Sequence, residues 1–177
     1  NDIFNRERIV PVIESLRTPY SSPAAISIEN ITGKYNKQSL WVGDWQTQNI
    51  YEHYIIQDKS LSSADNFTIK KVYSFPQLRF SCISANGNYI FSYDPWQKRI
   101  FKHSIDNNLV VVSSYTLPVT DVVGICYDGK YLWTCSNVAD KVYKHQLDSG
   151  LTVVENYPAP GPEIAGIYVD SENNVIW

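Results

Sequence analysis

The chain has 177 residues, 44% of them hydrophobic and 19% charged, which suffices for one domain with a full core and is too little for a multidomain enzyme. A net charge of −3 argues against a nucleic-acid partner, because neutralising phosphates takes a basic face. No stretch reaches the ~18 apolar residues of a helical membrane span, so no membrane insertion is expected. Thirteen Tyr, five Trp and six Phe without any Met lean toward β-structure.

A repeat organises the chain, and its elements follow in order. Residues 1–19 carry two strand-like runs. Asp2-Ile3-Phe4-Asn5-Arg6 reads as a third strand with Phe4 in the aromatic place, and Val10 to Pro19 reads like Leu109 to Pro118. Residues 20–75 form the next unit, marked by Trp41, Tyr51 and Tyr73 and lengthened between Asp58 and Asp65. Residues 76–117 carry Phe91, Phe101 and Tyr115, and residues 118–161 repeat them 42 positions on as Trp133, Tyr143 and Tyr157. Residues 162–177 open a further copy, ending in Val175-Ile176-Trp177.

Each full unit holds four short runs separated by turn signals such as Asn86-Gly87, Asp128-Gly129 and Asp148-Ser149-Gly150. No sustained 3.6-residue periodicity is present, so almost no helix is expected. Four antiparallel strands every ~40–45 residues is the pattern of a β-propeller blade. The expected fold is therefore all-β: a single propeller domain of about four blades. In it the outer strands of the closing blade come from 1–19 and its inner strands from 162–177. The alternative is a slice of a propeller with five to eight blades, in a larger chain or assembly. First strands should crowd the axis, and Ala25, Cys82, Gly124 and Gly166, all small, align there.

The chemistry is sparse. Cys82, Cys126 and Cys135 have no C-x-x-C spacing and are expected to be buried free thiols, which tilts toward a reducing compartment. A cell surface or a virion is the alternative. His53, His103 and His145 each follow the third-strand aromatic by two residues. Equivalent positions in different blades cannot converge on one ion, so each His is expected to pack beside its aromatic, with no metal site. No catalytic set and no cofactor is expected.

Asp44 and Asp94 hold matching places after Trp41 and Phe91, where Asp commonly caps a turn. Trp45 and Trp96 are surplus to the repeat and fall in second-to-third-strand turns. Large aromatics on turns call for packing or a partner. In a propeller those turns share a face with the Pro-bearing links Pro19–Pro23, Phe75–Arg79, Leu117–Asp121 and Pro158–Glu163. The expected contact surface is Asp44, Trp45, Phe75, Arg79, Asp94, Trp96, Asp121 and Glu163, meeting a protein or glycan in a binding or scaffold role.

The run Tyr131-Leu132-Trp133-Thr134-Cys135-Ser136-Asn137 resembles the opening of the YVTN-type propeller repeat. Val142-Tyr143, the Leu147-Asp148-Ser149-Gly150 turn, Val153-Val154, Gly166-Ile167 and Asp170 continue the likeness. It is shared with surface-layer-like, virginiamycin B lyase-like and NHL-type propellers. The second unit departs from it at Phe91-Ser92-Tyr93-Asp94-Pro95. The resemblance implies a fold and transfers no activity. A lyase or hydrolase of this kind is the alternative function, with a metal and a few acids or histidines at the axis. The first strands and their ends offer Glu29, Asp121, Asp128, Glu163 and Asp170 for such a site, but no His.

Overall fold

The computed structural model describes residues 20–30, 38–55, 67–161, 163–171, 173 and 175–177. Three antiparallel four-stranded sheets follow one another in chain order. The first contains β1 (Pro23–Asn30), β2 (Gln38–Asp44), β3 (Asn49–Ile55) and β4 (Phe67–Ser74). The second contains β5 (Cys82–Asn86), β6 (Tyr89–Asp94), β7 (Arg99–Ser104) and β8 (Val110–Thr116). The third contains β9 (Val122–Tyr127), β10 (Tyr131–Ser136), β11 (Lys141–Gln146) and β12 (Val153–Pro158). A two-stranded sheet follows, β13 (Val169–Asp170) with β14 (Val175–Ile176). Among the described residues the one helical turn is Ile105–Asn107.

The repeat seen in sequence is a repeat of register. The residue after each third-strand aromatic sits opposite the second-strand landmark: Glu52 opposite Trp41, Lys102 opposite Phe91, Lys144 opposite Trp133. Pairing with the fourth strand then slips by a bulge immediately before His53, His103 and His145. A bulge turns the following side chain out of the regular alternation, and all three imidazoles are buried.

Stacking, not any single sheet, makes the core. Trp41, Ile50 and Tyr73 of the first sheet meet Phe80, Ile83, Ile90 and Leu109 of the second. Phe91, Tyr93 and Ile100 of the second meet Ile125, Leu132 and Leu151 of the third. Trp133, Cys135 and Val142 of the third meet Ile167, Val169 and Ile176. Crowding at the first strands is most severe at Gly124, where an added Cβ would lie 2.8 Å from the Gly166 Cα and 2.9 Å from the Cys135 Sγ. Burial pushes the Cys82 thiol up to about 11 and the Cys135 thiol up to about 12, so both are held as inert thiols.

The first strands and residues 167–171 surround a cavity of about 770 Å³. Ile26 is 67% exposed, and among the described residues a Cβ on Gly166 would meet nothing within 4 Å. The pairing of residues 1–19 with residues 163–177 lies outside the described residues.

Candidate functional site

Three four-residue turns, 45–48, 95–98 and 137–140, join second to third strands. Each ends in a left-handed residue: Gln48 (φ 57°), Lys98 (φ 53°) and Asp140 (φ 49°). The carbonyl of that residue receives an amide from the end of the fourth strand: Phe75 at 2.8 Å, Leu117 at 3.4 Å and Ala159 at 2.8 Å. Turns and links are thus tied together on one face, as the repeat predicts.

Asp44 and Asp94 make the tie from within the turns. The Asp44 Oδ1 accepts the amides of Gln46 and Thr47, both at 2.9 Å, and its Oδ2 accepts that of Ser22 at 2.9 Å. The Asp94 Oδ1 accepts the amides of Trp96 at 2.8 Å and Gln97 at 3.0 Å, and its Oδ2 that of Arg79 at 2.9 Å. Both residues are buried. Burial alone would raise the Asp44 carboxyl, but the amides of Thr47, Ser22 and Gln46 outweigh it and hold the group below its ordinary value. The third unit makes a lighter version of this tie, in which the Ser136 hydroxyl accepts the Ala139 amide at 3.2 Å.

Phe75 also turns inward. Its ring meets those of Phe80 at 5.6 Å and His103 at 5.0 Å, both edge-on. Half-buried there, it wedges two sheets together.

The remaining candidates do face solvent. Trp96 is 75% and Trp45 47% exposed. The Arg79 guanidinium lies over the Trp96 ring, 4.4 Å from its centroid, a cation–π contact that holds the indole outward. Asp121 and Glu163 occupy the link position equivalent to Arg79; both are exposed and left-handed, with φ of 57° and 63°. Val138 joins them. It is 74% exposed and stands at the tip equivalent to Trp96, five residues after the landmark aromatic. The 42-residue offset alone could have found it.

Two of the histidines are bonded within their sheets. The His103 Nδ1 pairs with the Leu109 carbonyl at 3.1 Å and its Nε2 with the Ser92 hydroxyl at 2.8 Å. His145 repeats this with Leu151 at 2.9 Å and Thr134 at 2.9 Å. In each pair the imidazole donates to the carbonyl through Nδ1 and accepts from the hydroxyl through Nε2. Leu109 and Leu151 are left-handed, with φ of 56° and 48°, and their buried side chains belong to the first and second inter-sheet cores. Burial depresses the His103 imidazole to about 4, despite its bond to Leu109.

At the axis, the Asp128 carboxylate is spent on the amides of Lys130 and Tyr131 and on the Trp133 indole N–H, at 2.7–2.8 Å. The Asp170 Oδ1 accepts the Asn173 amide at 3.1 Å. Among the described residues no group of three His, Cys, Asp or Glu side chains could hold a metal ion. The Glu29 side chain lies outside the described residues.

No known protein family and no curated protein matches this chain. Solved structures do. It is similar to the streptogramin B lyase structure over 92% of its own length and 49% of that chain, at 20% identity and a TM-score of 0.57. Myxococcus xanthus glutaminyl cyclase is similar over 85% of this chain and 65% of that one, at 12% identity and a TM-score of 0.62. Kluyveromyces lactis Hsv2 is similar over 77% and 37%, at 8% identity and a TM-score of 0.54. The chain thus spans less than two thirds of each of these structures. At such identities the likeness defines a fold: this is a β-propeller chain of antiparallel four-stranded blades.

Proposed function

We propose that this propeller is a binding module whose contact surface is the turn-and-link face, and that its partner is a protein. The observation that carries this reading is the row of exposed apolar tips, Trp45, Trp96 and Val138, on three successive blades. Isolated apolar surface residues are ordinary, but aromatic tips repeated along one rim are the composition of an interface centre. Arg79, Asp121 and Glu163 beside them supply the charged rim that selects one partner over others. Bonding of the turns to the links fixes the tips in place, so little ordering entropy opposes binding. Within this reading the repeat is of YVTN/NHL type, supported by the run Tyr131–Asn137 and the Leu147–Gly150 turn.

The test is to capture and identify a protein on the intact chain, then measure its affinity for the Trp45→Ala/Trp96→Ala variant. The affinity should fall at least tenfold, on the order of the ~2 kcal/mol a central indole contributes. Unchanged affinity in a folded variant contradicts the site. Selective retention of oligosaccharides in place of any protein moves the partner to a glycan.

A further inference from the structure

The first and second blades build their turns on the same tie but finish them differently. In each, one buried carboxylate binds an amide of the turn and an amide of the link. Asp44 binds Gln46 and Ser22, and the Ser22 hydroxyl then donates to the Gln46 side-chain carbonyl at 3.0 Å, so the two side chains bond to each other. Asp94 binds Trp96 and Arg79 in the same two places. Their side chains meet as ring and cation, with the Arg79 guanidinium 4.4 Å from the indole centroid.

That second pair is left with capacity to bind. An aromatic face offers no lone pair, so the N–H donors of the guanidinium fork still call for an acceptor. Among the described residues none accepts from them. Arg79 is half-buried, and the backbone of both partners is fixed by Asp94, so the fork is positioned before anything binds. Lys98, exposed in the same turn, adds positive charge, whereas the next two links carry the exposed acids Asp121 and Glu163. The face is therefore cationic at the second blade and anionic beyond it.

We infer that Arg79, backed by Trp96, is a carboxylate receptor, and that the protein partner docks through an acidic segment whose Asp or Glu side chain enters this fork. The inference rests on the reading of this face as the contact surface and names the chemistry it selects. A carboxylate matches the planar fork with two parallel N–H bonds. A phosphate dianion would bring more negative charge toward Asp121 and Glu163 and be opposed more strongly, which favours the carboxylate.

The test is selection of displayed random peptides on the 177-residue chain, followed by a double-mutant cycle on one selected peptide. The selected peptides should share an Asp or Glu. Replacing that residue by its amide, or Arg79→Gln in the chain, should each weaken binding about tenfold, and the two together no further than either alone. Arg79→Lys should also bind more weakly than the parent, because an ammonium keeps the charge without the fork. Peptides that share no acid, losses that simply add, or a chain that retains no peptide overturn the inference. Affinity that falls with Trp45→Ala/Trp96→Ala but is indifferent to Arg79→Gln overturns the carboxylate receptor and leaves the contact face standing. Affinity unchanged by the paired tryptophan variant contradicts both.

Discussion

The second and third inter-sheet cores have the same origin in the repeat but differ in the members that the described residues supply. Between β5–β8 and β9–β12, Leu151 closes the packing and His145 pins its carbonyl. Between β9–β12 and β13–β14, Trp133 stacks on Tyr157 at 6.2 Å, Lys144 lies over Trp133, and a groove of about 340 Å³ lies beside them. The difference shows how a blade is stabilised. Its landmark aromatic is sealed by the next blade, through a left-handed leucine that arrives after the third strand. The His and its hydroxyl partner hold that leucine in place.

The comparison breaks most visibly at the plug. Leu151→Ala should destabilise the chain by about 3 kcal/mol, the ordinary result of emptying a packed core. Ile176→Ala, at a position lining the groove beside Trp133, should cost less than that. Urea titration of both variants checks the ranking.

Acid probes the pin. Burial keeps His103 neutral in the folded chain, so the unfolded chain takes up the proton first. Stability from this group is complete above the ordinary imidazole value of 6.5 and is lost as pH falls from there toward about 4. The loss should be roughly 3 kcal/mol, read as a falling urea midpoint. His145 is depressed for the same reason and adds in the same direction. His103→Gln should flatten this slope; an equal slope would assign the acid sensitivity elsewhere.

Backbone crowding gives a finer contrast. Gly124→Ala forces a methyl against Gly166 and Cys135 and should cost about 1–3 kcal/mol. Gly166→Ala meets nothing within 4 Å among the described residues and should change stability by no more than about 0.5 kcal/mol. Thermal melts of the two variants should separate accordingly.

Most of this architecture is legible in the sequence, because blade packing needs a large aromatic at a fixed place and turns need Asn, Asp or Gly. The burial of the histidines is legible for the same reason: equivalent positions on separate blades cannot meet. The inward turn of Asp44 and Asp94 is not. Their capping role can be read locally, but the amides of Ser22 and Arg79 come from links 22 and 15 residues away, and no local pattern announces that bond. Phe75 escapes the sequence because its partners, Phe80 and His103, are brought to it only by stacking. Val138 draws attention only when its repeat position is compared with that of Trp96.

The smallest effect on folding should accompany the largest effect on binding. Trp45→Ala with Trp96→Ala removes two exposed indoles and should shift stability by less than about 1 kcal/mol. Calorimetric titration of a purified protein partner against this pair and the parent chain tests the contact face most directly. A contact face centred on these indoles requires a dissociation constant at least ten times weaker at matched folding stability; equal constants would contradict it.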